Sequence, residues 1–596
     1  MKEQTGTLLC PIINYYMCGI TGQLLFGARP VDQALVKRMT RRLAHRGPDA
    51  SGHYFGNRIG MGHRRLAIID LKRGRQPMLN LDQTLCIVAN NEIYNHLELR
   101  AELESKGFRF TTTSDTEVIL QLFQREREKS FARLEGMFAL AIWDVVTETL
   151  FLARDPFGIK PLYYYQDEVT LLFASELKAL LEYPSLNRRL DLAALDSYFG
   201  SLALPEPRTV FRNVRKLPPG HFIKVSKGDL HLQRFWQPRF TGSRTHCRPQ
   251  ILAEQVRKEL QRSVKISLRS DVPVGVLLSG GVDSSTIAAF ASRENGSRLH
   301  TFSVAFKEDE FNEASFSRLV AKTFRTRHHE ILVTKKRATE IASRLTKFID
   351  EPFADCSSIP TYAVCELASG YVKTVLSGEG ADELFGGYPW HTTKNQARQE
   401  EHPAKVIFSR DERTELYSSE WRQELRKLRV NLHARSPHSL SPLNQSLLED
   451  LQFYLPSDIL FKSDRVSMIH SLEIRVPFLN RQFAELAMAL PDKMKVHRSQ
   501  RKVLLKQMMR GVLPDCVLDR PKKGFSIPLD LWLWEKGAWR DMIYDTIFSR
   551  TTRERAQFKM RTLERMQQEH ERLQGLHGYK LWTVFAFEMW QRAFLD

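Results

Sequence analysis

The chain has 596 residues, 42% of them hydrophobic and 26% charged, which is more than one hydrophobic core organises, so two or more domains are expected. The seven cysteines, at 10, 18, 86, 247, 356, 365 and 516, are odd in number and contain no C-x-x-C pair; this argues against a disulfide framework or a zinc ribbon and for a reducing, cytoplasmic setting. No apolar run reaches the ~18 residues a membrane span needs, and the formal net charge of +19 is spread thinly apart from one denser stretch.

Residues 1–17, ending in "NYYM", are short for a signal peptide, carry an asparagine and two tyrosines, and offer no small residues before Cys18. They read as the product of an upstream start codon or as a floppy extension. From 18 to 232 the chain reads as short strands and two helices. "LCIVANNEIY" (85–94) and "FALAIWD" (138–144) have strand length. "DQALVKRMTRRLAHR" (32–46) and "SDTEVILQLFQREREK" (114–129) have helical period, with Ser114 or Asp115 as cap. Many strands and few helices predict an α+β domain of packed sheets.

Residues 233–250 are polar, lose periodicity and hold two prolines, so they are taken as a linker. From 251 to 596 the pattern changes. A helix over 251–268 precedes "VPVGVLLSGGVDSSTIAAFAS", a buried strand, a glycine turn and a helix; "LHTFSVAF" and "YVKTVL" are further strands. Alternation of this kind predicts a parallel sheet flanked by helices. The basic stretch "RQELRKLRVNLHAR" (422–435) carries Leu425, Leu428 and Leu432 at helical spacing and reads as the solvated face of an amphipathic helix. Beyond about 445 the chain reads as mostly helical.

"LLSGGVDSS" is the strongest local signal. An apolar strand runs into Ser279-Gly280-Gly281, where side chains would block an anion, and Asp283, Ser284 and Ser285 open a helix. Backbone amides, hydroxyls and a helix N-terminus together cradle phosphate. A carboxylate beside phosphates calls for a cation, so Asp283 implies Mg²⁺. This is not a Walker loop, because G-x-x-x-x-G-K-[ST] is absent. A second strand end, "LSGEGADELFGGY" (376–388), brings Glu379, Asp382 and Glu383. In an open α/β sheet such loops converge on one crevice, where acidic groups can hold Mg²⁺ or act on a nucleophile's proton.

The first loop resembles that of the pyrophosphate-loop ATPases, which cleave ATP between the α- and β-phosphates. "MCGITG", "HRGPDASG" (45–52), "GHRRLAIID" (62–70), "NNEIYNH" (90–96) and "TTSDTEVI" (112–119) match in order the class II, N-terminal-nucleophile glutamine amidotransferases. Together with "EPFADCSSIPTY" (351–362), "SMIHSLEIRVPFLN" (467–480) and "RPKKGFSIP" (520–528), the chain resembles the glutamine-hydrolysing asparagine synthetase family from 17 to about 535.

The resemblance implies an N-terminal-nucleophile sandwich domain followed by a pyrophosphate-loop domain, with glutamine, ATP and a small carboxylate as substrates and Mg²⁺ as cofactor. It implies that Cys18 releases ammonia from glutamine. A free α-amine titrates near ~7.7–8 and can take the thiol's proton, whereas an internal Cys18 has only an amide nitrogen; Met17 is therefore expected to be the start of the active chain, or residues 1–17 to be removed. Arg65 is expected to grip glutamine's α-carboxylate, and Glu92 and Asp115 its α-amine. Asn90 and the backbone amide of Asn91 are expected to form the oxyanion hole. Asn91 stands where the family has glycine; asparagine tolerates left-handed backbone angles, yet its side chain could crowd the hole.

In the second domain, Ser279, Gly280, Gly281, Asp283, Ser284 and Ser285 are implied to bind pyrophosphate, and Leu278 and Val304 to flank adenosine. Ser377, Gly378 and Glu379 are implied to border the adenylate, with Glu379 catalytic and Asp283 and Asp382 on the metal. Lys502 is implied to stabilise the transferring phosphate, and Glu379, Asp382 and Arg475 to contact the acceptor. A largely apolar passage for ammonia between the domains is expected. The acceptor is expected to be aspartate; a uronic acid, a saccharide or a peptide acid is the alternative, to which the basic balance, Asn91 and Asn480 (where the family usually has aspartate) leave room. Neither nucleic acid nor membrane is expected as a partner, and a homodimer is left open.

Overall fold

The computed structural model describes residues 18–27, 29–47, 49–241, 248–392, 406–428 and 440–596. The extension 1–17, the middle of the proposed linker (242–247) and the end of the basic stretch (429–435) lie outside the described residues.

The N-terminal half is two antiparallel sheets stacked face to face. The strands are β1 (Gly19–Leu25), β2 (Ala50–Phe55), β3 (Ile59–Arg65), β4 (Met78–Leu79), β5 (Leu85–Ile93), β6 (Gly136–Asp144), β7 (Thr149–Arg154), β8 (Tyr163–Gln166), β9 (Thr170–Ala174), β10 (Val214–Lys216), β11 (His221–Ser226) and β12 (Asp229–Arg234). One sheet has the order β10-β8-β9-β1-β3-β2 and the other β12-β11-β7-β6-β5-β4. Alternation along each strand sends one set of side chains inward: Ile20, Leu24 and Met61 of the first sheet pack on Val88, Ala141 and Leu152 of the second. The outer face of the second sheet buries Ile87, Leu140 and Phe151 beneath Leu120 and Phe123 of the helix Asp115–Glu126. The expected α+β sandwich is present.

Ser114 is the N-cap of that helix, its hydroxyl accepting from the Thr116 amide at 3.3 Å. Three further α-helices of the described N-terminal half, His96–Ser105, the short Leu177–Leu180 and Leu192–Ser201, escape the sequence reading. In the first, "HLELRAELES", only Leu99 and Leu103 among the leucines are buried, so its apolar stripe is too thin to register as a period. The described part of the proposed linker is packed: Trp236 meets Phe157 edge-on at 4.8 Å and donates to Glu485 at 2.8 Å.

The C-terminal half is built on a five-stranded sheet of β13 (Val274–Leu277), β14 (His300–Phe306), β15 (Arg327–Val333), β16 (Thr374–Leu376) and β17 (Glu473–Arg475). All pairings are parallel, in the order β15-β14-β13-β16-β17. Chain order runs one way from β13 to β15 and the other way from β16 to β17, so the sheet reverses between β13 and β16. Ligand crevices form beyond the carboxyl ends of strands at such a reversal. Beyond 445 the chain is mostly helical, as expected, but β17 lies within that stretch: its three residues include Glu473 and Arg475, and their charges hide a buried strand.

Candidate active site

The loops that follow β13 and β16 open into one cavity of about 1040 Å³. The first loop is folded on itself before any ligand arrives. The Ser279 and Ser284 hydroxyls lie 3.0 Å apart, and the Ser279 amide donates to Ser284 Oγ at 3.2 Å. Gly280 has φ +75°, and a Cβ there would stand 2.6 Å from the Ser317 nitrogen; only glycine lets the turn lie this close to its neighbour. Gly281 caps the helix Val282–Asn295, whose N-terminus carries the positive end of its dipole toward the cavity. A Cβ on Gly378 would come within 2.9 Å of Asp283 Cβ, so the two loops touch.

Lys502 closes the junction. Its ammonium is 2.5 Å from Asp283 Oδ2 and 2.6 Å from Asp382 Oδ1, and Lys522 reaches the other oxygen of Asp382. Burial alone would raise the Asp382 carboxyl, yet the two lysines outweigh it and hold Asp382 well below the usual carboxylate range. Lys502 has φ +55°, a conformation that costs a non-glycine residue on the order of 1–3 kcal/mol and persists where the surrounding structure over-determines it. Glu379 is pushed up by burial; Ser463 donates to its Oε1 at 2.9 Å, while Oε2 is buried without a hydrogen-bond partner.

Leu278, Ser279, Gly281, Asp283, Ser284, Val304, Ser377, Gly378, Glu379, Asp382 and Lys502 all line the cavity. Gly280, within the loop, and Ser285, on the helix, do not line the cavity, and Ser285 is fully buried. Arg475 is elsewhere, which corrects its expected contact with the acceptor. Its guanidinium is occupied at the boundary with the sandwich, at 2.7 Å from Glu92 and 2.8 Å from Glu473, and it also donates to the Ser267 and Arg269 carbonyls.

The second centre lies at the start of β1. Cys18 Sγ is 3.7 Å from the Leu66 carbonyl, and burial pushes the thiol up to about 12. Arg65 is clamped by the Ile69, Asp70 and Leu71 carbonyls at 3.2, 2.6 and 3.3 Å. Asn90 is 1% exposed, and its amide nitrogen has no partner. A buried donor left so is costly, and a developing oxyanion would satisfy it.

Asn91 sits in regular strand β5, opposite Phe138, so no left-handed angle is needed. Its side chain turns away, donating to Asp115 at 2.7 Å and accepting from Thr116 at 3.2 Å. The expected crowding of the hole is thereby corrected. Asp115 Oδ2 also accepts from the Ile93 amide at 2.9 Å.

A family model described as asparagine synthase matches residues 255–592, and one described as a glutamine amidotransferase domain matches residues 17–236. The chain belongs to the asparagine synthase family. It is 34% identical to asparagine synthetase (glutamine-hydrolysing) 1 of Bacillus subtilis over 618 aligned positions, covering 96% of each chain. A putative asparagine synthetase (glutamine-hydrolysing) of Mycobacterium tuberculosis H37Rv is 33% identical, with 97% of this chain and 98% of that one covered. A further Bacillus subtilis asparagine synthetase is 34% identical over 540 positions, covering 85% and 87%. This member of the asparagine synthase family is an ATP-dependent glutamine amidotransferase ligase, and ATP is its substrate.

At the boundary between the two halves lies a buried ionic layer. Arg46 is fully buried and grips both oxygens of Asp464 at 2.8 Å, Glu176 at 2.7 Å and the Cys18 carbonyl at 3.1 Å. Arg465 reaches Glu176 at 3.1 Å and the Tyr163 hydroxyl at 3.0 Å. One small apolar cluster, Leu66, Ile68 and Met468, also spans the boundary, beside the thiol's carbonyl partner. Sequence reasoning missed Arg46 and Lys522 although both stand in quoted motifs, and it missed Asp464 and Ser463 altogether. No helix among the described residues is long and apolar enough to cross a membrane.

Proposed function

We propose that the protein makes asparagine from aspartate, ATP and glutamine. The observation that carries this reading is the Lys502 ammonium set between Asp283 and Asp382 where the two glycine loops meet; the curated relatives' names supply the acceptor. Aspartate's β-carboxylate oxygen attacks the α-phosphorus of ATP, the bond to the bridging oxygen breaks, and pyrophosphate leaves. Lys502 stabilises the charge that builds on the phosphoryl oxygens, in a buried setting where such interactions are strong. Ammonia then attacks the β-aspartyl carbonyl, AMP departs with the bonding pair, and the amide remains.

Mg²⁺ fits this site by its donors: two carboxylates converge there, and Asp283 Oδ1 is buried without a hydrogen-bond partner. Asp283 and Asp382 would hold the ion, which would offset the charge of the leaving pyrophosphate.

At the other centre Cys18 Sγ attacks glutamine's carboxamide carbon. Arg65 orients the α-carboxylate, Glu92 and Asp115 the amine, and Asn90 with the Asn91 amide receives the oxyanion. Ammonia leaves, and water hydrolyses the thioester to glutamate. The proton acceptor is the α-amine of Cys18, which exists only in a chain beginning at that residue.

The test is pyrophosphate release with aspartate and ATP, supplied first with glutamine and then with ammonium. Activity with both is expected, and Cys18→Ala should abolish the first while sparing the second. Silence with aspartate and ammonium refutes the reading. Mass spectrometry of natively expressed active enzyme should show Cys18 at the N-terminus; an intact extension refutes the assigned base.

A further inference from the structure

Glu383 follows Asp382 in the cavity wall and is 1% exposed. Its Oε1 accepts from the Tyr388 hydroxyl at 2.7 Å, whereas Oε2 is buried with no hydrogen-bond partner. Leaving a carboxylate oxygen in that condition is costly unless a ligand brings a donor. None of the steps above uses it.

Three aromatic rings line the same stretch of cavity. Tyr388 and Trp390 stack at 4.3 Å with 18° between planes, and Tyr454 stands edge-on to them at 5.5 and 6.0 Å. Ring faces carry negative potential and attract ammonium groups, so the rings and the spare carboxylate oxygen select the same kind of guest. On the face of Tyr388, 4.9 Å from its centroid, lies the Lys522 ammonium. A single tyrosine thus has a carboxylate at its hydroxyl end and a cation over its ring. That pairing complements a molecule bearing an ammonium and a carboxylate on one carbon.

We propose that Glu383 and the Tyr388–Trp390–Tyr454 wall bind the ammonium group of an amino-acid acceptor, with Lys522 facing its α-carboxylate. The proposal rests on the adenylation reading above and narrows it: acceptors without an amine, uronic acids among them, are rejected. Rejection follows because an amine-free acid buries the Glu383 oxygen still unpaired. Sites built around a substrate donor discriminate strongly for this reason, by up to about 10⁴–10⁵.

The test uses the full chain with ATP, Mg²⁺ and ammonium, following pyrophosphate release with L-aspartate, with succinate (the same chain without the amine) and with galacturonate. The unaltered enzyme should prefer aspartate over succinate by at least about a hundredfold in kcat/KM. Glu383→Gln should raise the KM for aspartate tenfold or more, leave the KM for ATP unchanged, and shrink the preference over succinate. Tyr454→Leu, which lies on a separate helix, should raise the aspartate KM in the same direction. The unchanged ATP KM guards against a misfolded variant, and Tyr454→Leu stands in should Glu383→Gln fail to fold. Succinate or galacturonate used as well as aspartate overturns the subsite alone, as does an aspartate KM indifferent to both substitutions. Silence with aspartate in the unaltered enzyme overturns the adenylation reading and the subsite with it.

Discussion

Removing Arg46 separates the chemistry of the two centres from their connection. In Arg46→Met, Glu176 keeps His45 at 3.0 Å, Lys178 at 2.7 Å and Arg465 at 3.1 Å. Asp464 keeps Arg465, at 3.7 Å, and the more distant charge of Lys160. The loss therefore falls on one buried carboxylate, and breaking a buried pair from one side costs about 3–5 kcal/mol. Burial alone would raise Asp464, but Arg46 holds it below the ordinary value. A carboxylate with a depressed folded pKa contributes stability above its unfolded pKa and loses it as pH falls through the folded one. Without Arg46 the depression is gone, so Asp464 takes up a proton more readily, and the deficit of the variant should be larger at pH 8 than at pH 5.5. Replacing both partners (Arg46→Met with Asp464→Leu) should recover most of the loss, since apolar substitutes for a whole buried pair are near neutral. Urea unfolding of the full chain measures stability, and pyrophosphate release measures coupling. Arg46 also holds the Cys18 carbonyl, so the glutamine-driven rate should fall more than the ammonium-driven rate. A single variant as stable as the parent, or a double variant no better than the single one, refutes the reasoning.

Lys502→Met should lower the pyrophosphate-release kcat about 10²–10³-fold, the usual cost of losing one group aimed at developing charge, while glutamine hydrolysis holds; a loss under tenfold would remove Lys502 from the phosphate. Asn91→Gly should destabilise the chain by about 1–3 kcal/mol, because Asp115 and Thr116 lose buried partners, with glutaminase kcat changed only a few-fold; a tenfold gain would mean that the side chain does obstruct the hole. Lys495, buried and 4.5 Å from the Phe240 ring centroid, is lowered to about 7 by burial. Its unfolded form therefore binds more protons between pH 7 and about 10.4, so stability should rise with pH across that window. Lys495→Met should flatten the rise in a series of urea melts, and an unchanged slope would contradict it.

The sequence is most legible where backbone geometry dictates the residue. Gly280 and Gly378 must be glycine because the chain passes a neighbour closer than a Cβ allows, so both loops announce themselves in the letters. Ser114 declares its helix in the same way. Arg475 was legible as a buried charge needing a partner, but nothing local says on which side of the sheet that partner stands; Glu92 is 383 residues away. Asn91 misled for a related reason: a departure from a family pattern says that something changes, while the hydrogen bonds to Asp115 and Thr116 that absorb it are tertiary. Lys522 was quoted in its motif, yet its meaning depends on Asp382, 140 residues earlier.

Residues Asp450–Ile459 wind as a π-helix, with Pro456 inside it, before the chain continues as the helix Leu460–Ile469. Wide turns of that kind re-aim the residues that follow them and concentrate at functional sites. Here the re-aimed helix is almost entirely buried, so each side chain has to find a partner in a different wall. Lys462 meets Asp355 and Ser357, Ser463 meets Glu379, Asp464 meets Arg46, and Arg465 meets Glu176 and Tyr163. Met468 packs on Leu66, whose carbonyl faces the Cys18 thiol. From Ser463 to Met468 is five residues, about 7.5 Å along a helix axis. One rigid rod thus touches the adenylate-side carboxylate with one turn and the thiol's surroundings with the next. A shift at either centre that moves this helix would disturb the ionic contacts of the other, so the helix is a physical link between the two centres.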